Sequence, residues 1–195
     1  MGELSLTGDV RAVPGLLIAA LACQKQGLTL LRSNQAQMGS GPGLGPCLVV
    51  NQLADLKLPL KPTTPPKADV RVEPNPNGLS LDDIKGQSTA KRALIIAATG
   101  GHHLLLFGPP GSGKTMLAKR MLGLMAPMTE QEAVEVACIQ SVTAGTLPGP
   151  PIERPFREVH HSTSAAALIG GGSPPRPGEI TLAHLGVLLL DELPE

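Results

Sequence analysis

The residues best suited to chemistry form an octapeptide in which glycines precede a lysine and a threonine. It fits the pattern G-x-x-x-x-G-K-[ST] at every position, with the residues Gly108, Pro109, Pro110, Gly111, Ser112, Gly113, Lys114 and Thr115. Glycines let the backbone curl so that several amide groups face a phosphate, and the start of a following helix adds favourable dipole charge. We expect Lys114 to reach the β- and γ-phosphates and Thr115 to hold Mg²⁺, so the segment predicts an ATP or GTP site.

A second candidate site follows the apolar run 187–190, which we predict to be a buried parallel strand. The run ends at Asp191 and Glu192, where Asp191 would hold Mg²⁺, usually through water, and Glu192 would polarise the attacking water. Alone the pattern is weak, because many strands end in a carboxylate that only meets solvent. Behind a phosphate loop it favours ATP hydrolysis.

The sequence around the loop predicts the elements that must position it. Residues 102–107 form an apolar run of strand length before the loop, and residues 116–125 place apolar residues at helical spacing after it. Asp82 and Asp83 could cap a helix over residues 87–99. The order of strand, glycine loop and helix is the setting that a phosphate loop requires.

Two further segments lie between the two candidate sites. The pattern Thr129-x-x-Glu132 is a capping box for a helix that reaches about Ser141. Residues 147–178 are dense in proline, glycine, arginine and histidine and are too long for an ordinary connection. We predict that they are a functional insertion.

The N-terminal part predicts a small α/β piece. A helix over residues 14–26 precedes short strands at 28–31 and 48–50 and a last helix at 52–58. The next stretch contains Pro59, Pro62, Pro65, Pro66, Pro74 and Pro76, which exclude a regular helix. The expected domains are therefore 1–58, a proline-rich linker at 59–80, and 81–195.

Composition sets the broad class. The 195 residues are 42% apolar, with 16 basic and 16 acidic side chains, so no net charge draws the chain to nucleic acid or membrane. The apolar run 16–23 is too short to span a bilayer, and its upstream flank has the wrong charge for a secretion signal. Three widely spaced cysteines indicate reduced thiols in the cytoplasm.

Several strings carry a family resemblance, which covers residues 81–195 closely. They are Gly86-Gln87, Lys91-Arg92-Ala93-Leu94, Arg154-Pro155-Phe156-Arg157-Glu158-Val159-His160-His161-Ser162, Gly170-Gly171-Gly172-Ser173, Arg176-Pro177-Gly178-Glu179-Ile180 and Leu190-Asp191-Glu192-Leu193-Pro194-Glu195. This part resembles the magnesium-chelatase-like AAA+ ATPases of the YifB or ComM type. Residues 8–11 and the helix over residues 14–22 resemble the end of a Lon-protease-like, ribosomal-S5-type domain.

The resemblance implies an α/β fold, in which the tail of an S5/Lon-like domain precedes a P-loop AAA+ domain with a parallel sheet and flanking helices. It also implies a bacterial cytoplasmic ATPase that works as a ring, a hexamer in full-length relatives, with ComM-type members acting on DNA as branch-migration helicases in natural transformation. Backbone contacts to adenine are implied at Ile84, Lys85 and Gly86. We expect the chain to be cut short at both ends, without the arginine finger and sensor residues.

Three functions stay open at this point: a DNA motor driven by ATP, a nucleotide-binding fragment without turnover, and an ATPase subunit of a chelatase. Arg154, Arg157 and Arg176 could meet DNA phosphates, or they could pair with nearby glutamates. His160 and His161 are expected to point apart, which disfavours a shared metal. Only two aromatic residues occur, both phenylalanine, so a DNA role rests on the resemblance.

Overall fold

The computed structural model describes residues 1–35, 45–64, 80–144 and 153–191. These residues fall into two compact units. The first contains the described residues up to 64 together with residues 129–144, and the second contains residues 80–128 and 153–191. Glu192 and most of the proline-rich segment lie outside the described residues. The domain boundaries expected from the sequence stay predictions.

The strands are short, and every described strand has four residues or fewer. In chain order the strands and helices are β1 (Glu3–Leu4), β2 (Val10–Arg11), α1 (Leu16–Lys25), β3 (Leu30–Ser33), β4 (Cys47–Val50), β5 (Pro62–Thr63), α2 (Ser88–Gly100), α3 (Lys114–Lys119), α4 (Glu130–Ala144), β6 (Phe156–Val159), α5 (Ala165–Ile169), β7 (Gly170–Gly171), β8 (Arg176–Pro177), α6 (Glu179–Leu182) and β9 (Val187–Leu190). Turns of 3-10 helix occupy Leu53–Lys57, Leu81–Asp83 and Leu122–Leu124.

The first unit is built on a mixed sheet in which β3 pairs in parallel with β4, and β5 pairs antiparallel on the other side of β4. Its core joins Leu16 and Ala20 of α1 to Leu30 and Cys47 of the sheet. The apolar run that could be mistaken for a signal segment is therefore a helix with a buried face. Within the described residues, no helix is long and apolar enough to cross a bilayer.

The helix α4 packs on α1 within this first unit, and the Gly15 amide donates to the Ser141 carbonyl at 3.2 Å. Its start confirms the predicted capping box. The Thr129 amide donates to a Glu132 carboxylate oxygen at 2.8 Å, and the Glu132 amide donates to the Thr129 hydroxyl at 3.2 Å. Two amides that the helix leaves without internal partners are thereby satisfied.

The second unit pairs β6 with β9 in parallel, with Phe156 opposite Val187 and Val159 opposite Leu190. The strand predicted at residues 187–190 is confirmed, whereas β6 lies inside the segment expected to be an insertion. The capping role predicted for Asp82 and Asp83 was wrong. Both residues belong to a 3-10 turn that Ser80 caps, and α2 starts only after Gln87.

The strand predicted at residues 102–107 is not formed among the described residues. A strand needs a neighbour to satisfy its backbone groups, and no described strand pairs with this segment. The side chains nevertheless alternate as in a strand, because Leu104 and Leu106 are half-buried while Leu105 and Phe107 are 81% and 100% exposed. The side chains of this segment therefore alternate as in a strand, but no described strand pairs with its backbone.

Candidate nucleotide site

The loop between this extended segment and α3 has the backbone that the motif predicts. Gly111 and Gly113 have φ of 76° and 84°, in the left-handed region that residues with a Cβ rarely adopt. A Cβ built on Gly111 would meet no atom within 4 Å, so the loop has open space on that side. The Ser112 amide donates to the Pro109 carbonyl at 3.3 Å and closes a turn. The curl leaves room for an anionic group.

The ammonium group of Lys114 lies over the first part of the same loop. It donates to the Gly108 carbonyl at 3.0 Å and to the Pro109 carbonyl at 3.1 Å, although Lys114 is the first residue of α3. The positive charge is therefore held against two carbonyls of the loop, and Lys114 is half-buried. This is where a polyphosphate needs a cation.

Two side chains outside the motif hold the loop and its helix. Gln87 donates its amide to the Ser112 carbonyl at 2.7 Å. Arg120 donates to the Met116 carbonyl at 2.9 Å and to the Ser80 carbonyl at 3.0 Å, and it pairs with Asp83 at 3.5 Å. Motif reasoning missed both. Gln87 had two sequence signals: it belongs to the string Gly86-Gln87, and it stands where a helix start usually has serine, aspartate or asparagine.

Asp191 follows β9, and its backbone amide donates to the Val159 carbonyl of β6 at 3.0 Å. It therefore stands at the carboxyl end of the parallel pair, as predicted. The ion pair between Lys119 and Glu158, at 2.9 Å, joins α3 to β6. The loop residues are thus brought together, and contacts through β6 connect α3 with the strand that carries Asp191.

Arg154 fixes the opposite end of the strand pair. Its guanidinium donates to the Leu185 carbonyl before β9 and to the Ala126 carbonyl, both at 2.7 Å, and to the Pro127 carbonyl at 3.5 Å. One guanidinium thus binds three carbonyls from two segments and holds these segments together. These contacts favour a structural role for Arg154 over contact with DNA.

Arg157 of β6 and Glu179 of α6 form a bidentate ion pair. The Arg157 Nη2 donates to Glu179 Oε1 at 2.8 Å, and its Nε donates to Oε2. The hydrogen bonds from Arg157 hold the pKa of Glu179 below its usual value, and the same bonds raise the pKa of Arg157. Of the two sequence alternatives for Arg157, pairing with a glutamate is the one observed.

The His160 and His161 rings do not point apart as expected. Their centroids lie 3.9 Å apart with the planes tilted by 39°, because the chain leaves β6 at this point and enters a turn. His160 Nδ1 lies 3.0 Å from the Ser162 hydroxyl. Within the described residues, no group of three side chains that could hold a metal ion exists.

A mixed α/β fold that contains parallel strand pairs and a glycine-rich loop opening onto a helix is consistent with the AAA+ type of P-loop protein. Residues 80–195 match the family described as magnesium chelatase, subunit ChlI. The chain belongs to the magnesium-chelatase-like family that includes YifB and ComM proteins.

Two relatives match along the whole chain. It is 44% identical over 204 residues to the protein YifB of Escherichia coli and 45% identical over 208 residues to the competence protein ComM of Haemophilus influenzae, with all of this chain covered in both cases. The chain spans 39% and 40% of the lengths of those two relatives. Lon protease 2 of Bacillus subtilis is 32% identical over 126 residues, covering 60% of this chain and 22% of that protein.

Proposed function

We propose that this chain binds MgATP at the loop 108–115 and supplies the ATPase module of an AAA+ motor. The observation that carries the proposal is the position of the Lys114 ammonium, which lies on the Gly108 and Pro109 carbonyls beside a loop opened by left-handed glycines. Positive charge, open space and a curled backbone are the three features that a polyphosphate requires.

The residues of the site have separate roles in this proposal. The amides of the loop and Lys114 hold the β- and γ-phosphates, while Thr115 and Asp191 hold Mg²⁺. The metal ion, when bound, neutralises charge on the phosphates. Glu192, which lies outside the described residues, orients and polarises the attacking water. The backbone at Ile84, Lys85 and Gly86 is the proposed contact for adenine.

At the level of the whole protein, we propose a cytoplasmic ring, a hexamer, that moves DNA branches during natural transformation. The proposal rests on the family and on the name of the Haemophilus influenzae relative, a competence protein. The tail of an S5/Lon-like domain at residues 1–58, joined by a linker at 59–80 to an ATPase domain at 81–195, is part of the same proposal. Similarity to Lon protease 2 over 60% of the chain supports an AAA+ type of ATPase.

A chelatase-type ATPase subunit is the second candidate, which the description of the matching family favours. It would use the same nucleotide site with a different partner. A third possibility, a module that binds nucleotide without turnover, differs from the first only at the hydrolysis step. One experiment therefore separates the third from the others.

That experiment measures phosphate release from MgATP by the chain and by Glu192→Gln. We expect the variant to lose turnover by at least about a hundredfold while it keeps its affinity for MgATP, because a general base contributes about 10²–10⁴-fold. Glu195→Gln, three residues further on, is the matched control and should retain turnover. Absence of turnover in the unchanged chain, with MgATP still bound, would favour the third possibility.

A further inference from the structure

Gln87 has an unusual backbone conformation. It lies directly before α2 with φ 53° and ψ 40°, a left-handed conformation that is uncommon for residues other than glycine. Residues at the start of a helix usually turn a short polar side chain back onto the first helical amides. The Gln87 side chain makes no such capping bond. The Gln87 carbonyl accepts the first helical hydrogen bond, from the Lys91 amide at 2.9 Å, so the backbone serves α2 whereas the side chain does not.

The side chain instead reaches the phosphate loop, 25 positions further along the chain. Its Nε2 donates to the Ser112 carbonyl at 2.7 Å, the distance of a short and well-formed hydrogen bond. A Cβ built on the next residue, Gly113, would stand 3.7 Å from the same nitrogen, so Gln87 lies along one side of the loop. An ionised aspartate has no donor for this carbonyl, and serine and asparagine have shorter side chains than glutamine.

This hydrogen bond determines the direction of one loop amide. In a trans peptide the carbonyl and the following N–H point in opposite directions. The Ser112–Gly113 peptide is not among the cis bonds of the described chain. Because Gln87 holds the Ser112 carbonyl, the Gly113 N–H must point away from Gln87. It is thereby presented to an acceptor on the other side of the peptide.

We propose that Gln87 is a positioning residue of the nucleotide site, which fixes the Ser112–Gly113 peptide so that the Gly113 amide donates to a phosphate. The inference rests on the proposed function, since it needs a polyphosphate in the loop. It adds a side chain from the start of α2 to a site that the motif assigns to the loop alone. Gln87 itself need not touch the nucleotide.

The test measures affinities for two probes, MgATP and magnesium tripolyphosphate, by calorimetry on the full chain. Gln87→Met keeps the length of the side chain without its donor, and Gln87→Glu keeps the shape but can only accept. We expect Gln87→Met to weaken both probes equally, by about threefold to tenfold, as loss of one hydrogen bond predicts. Gln87→Glu should weaken them more, because its charge faces a carbonyl oxygen and repels phosphate.

Two controls separate positioning from folding. Gln26→Met changes an exposed glutamine after α1 in the first unit and should leave both affinities unchanged. The melting temperature of ligand-free Gln87→Met should fall by no more than about 4–8 °C, the shift that loss of about 1 kcal/mol produces in a unit of this size, so that the variant stays folded at 25 °C. As a second readout, the Gly113 amide proton in ¹⁵N-labelled protein should shift downfield when tripolyphosphate saturates the site, and this shift should shrink in Gln87→Met.

The outcomes are distinguishable. If the unchanged chain binds MgATP and Gln87→Met binds both probes equally well, the role of Gln87 is refuted and the nucleotide site stands. The same conclusion follows if only Gln87→Glu weakens binding, since charge alone would explain it. An unaltered Gly113 shift in Gln87→Met refutes the role even if that variant is unstable. If the unchanged chain binds neither probe, the proposed function fails, and the role of Gln87 fails with it.

Discussion

Individual side chains in the second unit connect elements far apart in the sequence. Arg154 gathers carbonyls from two segments, Arg157 pairs with Glu179, and Lys119 pairs with Glu158. Each of these three cationic side chains therefore binds carbonyl or carboxylate groups of the protein itself. The sequence suggested that some arginines could serve DNA, and for Arg157 the observed contact is an ion pair instead. Arg176, exposed on β8, keeps DNA contact as a prediction.

The pair of Arg157 and Glu179 predicts a dependence of stability on pH. Because the folded pKa of Glu179 is lowered from 4.5, its contribution is complete above that value and is lost as pH falls through the lower folded pKa. Arg157 is 40% exposed, so solvent screens the pair. We expect Glu179→Gln to reduce the free energy of unfolding by about 1 kcal/mol at pH 7.

Urea denaturation at pH 7 and at pH 4 measures this effect. The difference between the unchanged chain and Glu179→Gln should be smaller at pH 4, because below pH 4.5 the unfolded chain binds protons at Glu179 that the folded chain binds less readily. Glu3→Gln, at an exposed residue of β1, is the control and should change stability little at either pH. A difference that grows as the pH falls would contradict the assigned direction of the shift.

At the scale of elements, sequence prediction succeeded where local chemistry decides the outcome. The capping box at Thr129 and the strand Val187–Leu190 depend on neighbours in sequence and on apolar content. Sequence prediction failed for segments whose structure depends on pairing with a strand far away in the sequence. Residues 102–107 have the composition of a strand, but no described strand pairs with them. The strand β6 was missed because its arginine and glutamate interrupt the run of apolar residues. The contact of Gln87 with Ser112 depends on tertiary structure and could not be read from spacing.

The unpaired segment 102–107 predicts self-association of the chain. Among the described residues, no strand pairs with its backbone, and the side chains of Leu105 and Phe107 are exposed; such edges recruit other strands. We expect sedimentation velocity to show association that grows with concentration and that Phe107→Asp reduces. Leu6→Asp is the matched control, because Leu6 is equally exposed in the first unit. A monodisperse monomer at every concentration would contradict this expectation.

At the scale of the molecule, two small units each enclose their own buried residues. Leu16, Ala20, Leu30 and Cys47 form the core of the first, and in the second Leu94, Ala97 and Leu117 are buried. Small cores leave little margin of stability, so ligand binding should stabilise the second unit measurably. The chain spans 39% of the length of its Escherichia coli relative, and ring-motor activity of the whole protein is a proposal.

The most direct test of the nucleotide site is a calorimetric titration of the chain with MgATP, beside Lys114→Ala and Lys119→Ala. Both variants remove one lysine from α3, but only Lys114 lies on the loop carbonyls. The ion pair of Lys119 with Glu158 is nearly half exposed, so its loss should cost little. We predict saturable binding that weakens about tenfold to a hundredfold in Lys114→Ala, the effect of losing a charged hydrogen-bond donor, and little change in Lys119→Ala. Equal affinity in Lys114→Ala and the unchanged chain, or no binding by either, would contradict the assignment.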